Sequence, residues 1–160
     1  MHLGEICNRI VVYADRGMPL TDAANLMREH HVGSLVVVDE TARGRVPVGI
    51  LTDRDIVIEV VAGKVDLRTL TVGDVMASDV VTAREDDSIV DALHLMRRGV
   101  RRLPVVTMEG LLAGIVTVDD LLRVAAEQLG DLVRVIGAQQ SREARMRKLR
   151  ASREAPAIAS

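Results

Sequence analysis

Short apolar runs alternate with helical stripes along this chain, and the pattern occurs twice. Residues 10–13 (Ile-Val-Val-Tyr) and 80–82 (Val-Val-Thr) are brief runs rich in β-branched side chains and predict strands. After each, apolar residues recur at helical spacing: Ala23, Leu26 and Met27, then Ala92, Leu95 and Met96. Pro19 stands where a first helical residue would, and Ser88 is placed as an N-cap with Asp91 three residues on. Two further apolar runs follow in each half, 35–38 with 46–51 and 103–107 with 111–116, and these suit buried strands. A closing helix starts at Asp53 or at Val118 and carries Ile56, Val57 and Val60, or Leu121, Leu122 and Ala125. The predicted order is β-α-β-β-α, twice.

The two halves align residue by residue. Leu3-Gly4-Glu5-Ile6-Cys7 matches Val72-Gly73-Asp74-Val75-Met76 at an offset of 69. The offset falls to 68 where Val32-Gly33-Ser34-Leu35 meets Val100-Arg101-Arg102-Leu103, and to 65 where Gly49-Ile50-Leu51-Thr52 meets Gly114-Ile115-Val116-Thr117. Three extra residues of the first half fall in the surface turn at 39–45, where added length costs little. The chain divides into a first repeat (1–61), a linker (62–71), a second repeat (72–126) and a helical extension (127–150). Leu129, Leu132, Val133 and Ile136 give the extension an apolar stripe, while residues 151–160, small and polar with Pro156, are expected to fray.

Composition narrows the chemistry. The chain of 160 residues is 48% hydrophobic and 28% charged, which argues for a folded core and against global disorder. It lacks an apolar run of about 18 residues and an N-terminal signal pattern, so neither a membrane partner nor secretion is expected, and the expected compartment is the cytoplasm. Cys7 is the only cysteine, which excludes an intramolecular disulfide and a zinc site built on cysteines. Tyr13 is the only aromatic residue, so bases cannot stack along a ring-lined surface, and a flat ligand must rest on aliphatic side chains and backbone. Residues 1–140 carry 15 basic and 21 acidic side chains, whereas residues 141–160 carry six basic and two acidic. The basic tail reads as a solvated helix or a contact for an acidic partner. Nucleic acid is not the expected partner, because phosphate attraction alone carries no sequence preference.

One motif recurs: Gly-h-h-Thr-x-x-Asp, with h apolar, as Gly49-Ile50-Leu51-Thr52-Asp53-Arg54-Asp55 and Gly114-Ile115-Val116-Thr117-Val118-Asp119-Asp120. The apolar pair ends a buried strand, Thr stands at the strand-to-helix turn, and Asp follows in the first helical turn. A carboxylate there can accept two hydrogen bonds from a vicinal diol such as a ribose, and the helix N-terminus can meet a phosphate. The same spacing also serves as a plain capping box, and repetition of the fold would repeat it. His30, His31 and His94 read as solvated helix residues, and Asp86 and Asp87 as negative charge before a helix. No metal site, nucleophile or general base stands out.

The chain resembles a tandem pair of CBS domains, the Bateman module. The resemblance rests on Val72-Gly73-Asp74-Val75-Met76, on Arg102-Leu103-Pro104-Val105-Val106 and on both Gly-h-h-Thr-x-x-Asp segments, and it covers residues 3–130. It implies an α+β fold in which two repeats pack through their sheets about a pseudo-two-fold axis, with a cleft on each side. Such clefts commonly hold AMP, ADP, ATP, NAD or S-adenosylmethionine as regulatory ligands, with no catalytic cofactor, and such modules usually form homodimers that regulate another protein. Carried onto this sequence, Thr117 and Asp120 would hold ribose in one cleft, with Thr82, Leu103, Pro104 and Val105 around the adenine and Arg101 or Arg102 at the phosphate. In the other, Thr52 and Asp55 take the ribose role, Arg54 the phosphate, and Tyr13 occupies the position of Thr82. Gly33 and Ser34 stand where the second half has Arg101 and Arg102, so the two clefts are expected to differ in affinity or in preferred nucleotide. The rival expectation is a dimerisation module with decayed sites that binds its partner through the basic helix.

Overall fold

The computed structural model describes residues 1–154. The chain divides into two units, Met1–Asp120 and a second that begins at Leu121. The first unit holds two three-stranded sheets of mixed α+β construction. In one, β1 (Tyr13–Ala14) runs parallel to β2 (Ser34–Thr41), and β2 pairs antiparallel with β3 (Gly44–Thr52). In the other, β4 (Ala83–Arg84), β5 (Arg102–Val106) and β6 (Leu112–Thr117) repeat that topology. A parallel pair needs a crossover, and α2 (Leu20–His30) and α5 (Ile89–Met96) supply it. Buried Leu35, Val37 and Leu51 of the first sheet pack with Leu20, Ala23 and Met27 of α2 into one core cluster. After β3 the chain makes α3 (Asp53–Asp55) and continues as a π-helical turn, Ile56–Val61.

The expected β-α-β-β-α order is present in both repeats, with two differences. The first strand of each repeat is two residues long and starts later than predicted, at Tyr13 and Ala83. A short helix also opens each repeat, ahead of its first strand: α1 (Leu3–Ile6) and α4 (Val72–Val75). Both differences have one cause, because the segment before each short strand pairs with the other repeat.

That exchange is symmetric. Leu3 and Gly4 donate their amides to Asp87 and Glu85 of the second repeat, and Val72 and Gly73 donate theirs to Met18 and Arg16 of the first, all at 2.9 Å. Further on, Asn8 forms an antiparallel bridge with Ile115 of β6, and Ala77 forms one with Ile50 of β3. Each contact thus has a counterpart at the sequence offsets of 69 and 65. Val72, from the second repeat, accordingly sits fully buried in the core of the first.

The bridges explain the glycine that opens each repeated motif. A Cβ on Gly49 would lie 2.8 Å from the Ala77 carbonyl oxygen and 2.8 Å from Met76 Sδ. On Gly114 it would lie 2.6 Å from Cys7 Sγ and 2.9 Å from the Asn8 carbonyl oxygen. Cys7 is therefore a packing group opposite Gly114, and burial pushes its thiol above the usual range, partly offset by Arg9.

α6 (Val118–Glu154) opens at the end of β6 and is one continuous helix, the second unit beginning within it at Leu121. The closing helix of the second repeat and the predicted extension are thus a single element, unbroken at Gly130 and Gly137. Residues 151–154, expected to fray, belong to this helix, and the rest of the expected tail, 155–160, lies outside the described residues. No helix among the described residues is long and apolar enough to cross a membrane.

Candidate ligand cleft

Both Thr-x-x-Asp pairs close as reciprocal capping boxes. The Asp55 carboxylate accepts from the Thr52 amide at 2.9 Å, and the Asp55 amide donates to Thr52 Oγ1 at 3.1 Å. In the second motif Asp120 Oδ2 accepts from the Thr117 amide at 2.9 Å and from its hydroxyl at 2.7 Å. Thr71 with Asp74 and Ser88 with Asp91 build the same box at α4 and α5. Capping alone therefore accounts for the residue types. What sets Thr52 and Asp55 apart is the space they face.

That space is a cavity of about 280 Å³ between the two repeats. Ile50, Thr52 and Asp55 line it from the first repeat. The segment before β4 contributes Ala77, Asp79, Val80 and Val81, the turn after α5 contributes Gly99, Val100 and Arg101, and the start of β5 contributes Arg102. The Ile50–Ala77 bridge, with amide-to-carbonyl distances of 3.0 and 2.9 Å, is its floor of shared backbone. One wall is aliphatic, from Ile50, Val80, Val81 and Val100, which answers the near absence of aromatic residues. Two guanidiniums and two carboxylates supply the charge, and neither arginine makes an ion pair among the described residues.

This grouping differs from the one expected. Thr52 and Asp55 meet Arg101 and Arg102 of the opposite repeat, not Arg54 and Tyr13. Arg54 is exposed on α3, where its amide donates to Asp53 Oδ1 at 2.8 Å. Tyr13 is engaged by Arg45, whose guanidinium carbon lies 4.2 Å from the ring centre. Leu103, Pro104 and Val105, expected as a cleft wall, are buried in β5. Thr82 is half-buried, next to the lining residue Val81. Thr117 and Asp120 stand at the counterpart position beside the Asn8–Ile115 bridge, and by the repeat register Gly33 and Ser34 take the places of Arg101 and Arg102 there. Ile50, Ala77, Asp79, Val80, Val81, Gly99 and Val100 escaped the sequence reading as cleft residues. The signal for them was the repeat offset, which makes 77 and 50 the counterparts of 8 and 115. No group of three or more His, Cys, Asp or Glu side chains is gathered as a metal site among the described residues.

Comparison with known proteins gives the family. The CBS domain description matches residues 3–62 and 72–127. The chain belongs to the CBS-domain family. An uncharacterised protein of Methanopyrus kandleri is 39% identical over 123 residues, which are 76% of this chain and 61% of that protein. The chain thus spans less than two thirds of that relative. Hypoxic response protein 1 of Mycobacterium tuberculosis is 38% identical over 120 residues, covering 74% of this chain and 81% of the relative. The crystal structure of Hypoxic Response Protein I, with two coordinated zinc ions, superposes with a TM-score of 0.67 at 35% identity, over 77% of this chain and 98% of that one. A CBS domain pair solved with 5′-methylthioadenosine and S-adenosyl-L-methionine superposes with a TM-score of 0.68 at 26% identity, over 80% and 98%. CBS-domain pairs are generally regulatory modules.

Proposed function

We propose that this CBS pair is a non-catalytic sensor that binds a phosphate-bearing adenosine ligand, AMP, ADP, ATP or NAD, in the Thr52–Asp55 cleft, and that as a homodimer it signals to a separate protein. The observation that carries this reading is the convergence, in one cavity, of a helix-capping carboxylate from one repeat with two arginines from the other that make no ion pair among the described residues. Asp55 Oδ2 is held by the Thr52 amide, and Oδ1 carries no hydrogen bond among the described residues. A ribose diol presents two donors to such a group. Arg101 and Arg102 match phosphate oxygens in charge and geometry. The aliphatic wall offers a face to adenine. The neighbour that holds methylthioadenosine and S-adenosylmethionine supports adenosine chemistry in this family.

Such a ligand would touch both repeats at the Ile50–Ala77 bridge and favour the state in which they are docked. A ligand shifts an equilibrium only through its differential affinity for the two states. The test is calorimetric titration and thermal shift with AMP, ADP, ATP, NAD and S-adenosylmethionine on wild type, Asp55→Ala and Asp91→Ala. Asp91→Ala removes an equivalent cap away from the cleft and so reports the cost of capping alone. At a hundred times its dissociation constant the ligand should stabilise wild type and Asp91→Ala by about 2.7 kcal/mol, and Asp55→Ala by far less. Equal stabilisation of all three, or of none, would refute the assignment.

A further inference from the structure

The helix α6 leaves an apolar seam uncovered. Leu122, Ala125, Leu129, Leu132 and Ile136 follow one another at steps of three, four, three and four residues, the spacing at which helices pair. Leu122 is 65% exposed, Leu129 64%, Leu132 61% and Ile136 57%. Val133 flanks the seam and is 68% exposed. Arg123, Glu127, Asp131 and Arg134 occupy the opposite face, where Arg134 and Asp131 pair at 2.6 Å. Two interior glycines, Gly130 and Gly137, weaken the helix along this stretch, and burying the seam would offset that loss.

We infer that the seam is covered by the same seam of a second copy, running antiparallel. Two features select that occupant and that direction. First, the part of the seam from Ala125 to Ile136 matches itself when reversed about the point between Gly130 and Asp131, with Leu122 falling outside the match, opposite the partner's Gln139. Leu129 then faces the partner's Leu132, and the small Ala125 faces the partner's large Ile136. Second, charge forbids the parallel arrangement. Residues 142–153 carry six basic side chains and one acidic one. Parallel helices would set two such segments side by side, about 10 Å apart. Reversal places them roughly 50 Å apart at 1.5 Å rise per residue, several Debye lengths at physiological salt. This pairing does not depend on the ligand cleft.

The full-length chain tests it. By light scattering on a sizing column, Leu132→Glu should halve the mass of the wild-type assembly and lower the helical circular dichroism. Ala138→Glu, on the opposite face of the helix, should leave both unchanged. Direction is read by disulfide trapping, with wild type as the control for Cys7. Mixed Ala125→Cys and Ile136→Cys chains should cross-link to each other, and neither should cross-link to itself. A wild-type monomer, an assembly that survives Leu132→Glu, or an Ala125→Cys chain that cross-links to itself would each overturn the inference.

Discussion

Ile50 and Ala77 exchange two backbone hydrogen bonds across the boundary between the repeats, at 3.0 and 2.9 Å, directly beside Gly49. Asn8 and Ile115 repeat the exchange at 2.9 and 3.0 Å, beside Gly114. In both places the other repeat's backbone carbonyl occupies the space of a Cβ. A methyl group there must push main chain aside, because a carbonyl cannot rotate away as a side-chain tip can.

Gly49→Ala and Gly114→Ala should therefore each destabilise the fold, by about 1–3 kcal/mol as overpacking changes do. For a chain of this length that lowers Tm by about 3–10 °C in a circular-dichroism melt. The two should differ in ligand response. Gly49→Ala displaces Ala77, which lines the cavity, and should weaken binding of the phosphate-bearing ligand as well. Gly114→Ala acts at the opposite bridge and should leave that binding near wild type. Unchanged melting in both variants would mean that the repeats are not locked through these bridges.

Arg101 and Arg102 come to Thr52 and Asp55 from the opposite repeat, so charge removal should act on that cleft. A hydrogen bond to a charged group contributes about 1.5–3 kcal/mol. Arg102→Ala should accordingly weaken AMP by roughly ten- to a hundredfold in calorimetry, while binding of unphosphorylated adenosine changes little. Asp120→Ala should leave AMP affinity in the arginine-bearing cleft intact. Equal losses for AMP and adenosine in Arg102→Ala would assign the arginine a structural role instead of phosphate contact.

The repeat was legible because each half carries its own periodicity: Ala23, Leu26 and Met27 face a core, as do Ala92 and Met96. The capping boxes were legible for the same reason, since Thr and Asp three residues apart satisfy local backbone donors whatever the tertiary context. Thr52, Asp55, Arg101 and Arg102 were legible as site residues, but their meeting in one cleft was not. It depends on Ala77 crossing to Ile50, a contact between segments whose own patterns give no sign of it. The short helices α1 and α4 were missed because four residues are too few to show a period. Leu103, Pro104 and Val105 could be read as a cleft wall because an apolar wall and a buried strand carry the same residue types; they lie buried in β5 and do not line the Thr52–Asp55 cavity.

The caps also set a dependence on pH. Asp74 lies below the ordinary aspartate range because the Thr71 amide and hydroxyl donate to it, at 2.8 and 3.0 Å. Asp91 is lowered by the Ser88 hydroxyl at 2.6 Å and its amide at 2.9 Å. Asp39 is lowered by hydrogen bonds from Arg16. A group whose folded value is depressed contributes its stability in full above the unfolded value, about 3.9 for aspartate, and loses it as pH falls through the folded value. The unfolded chain binds more protons in that window, so stability rises with pH there. The melting temperature should thus fall as pH is lowered from about 5 to 3, with the caps of α4 and α5 contributing to the slope. Asp74→Asn and Asp91→Asn should each lower Tm at pH 7 and flatten the acid limb, because neither amide titrates. The check is a set of melts across pH for the three proteins. Parallel acid limbs would show that these carboxylates are not what acid removes.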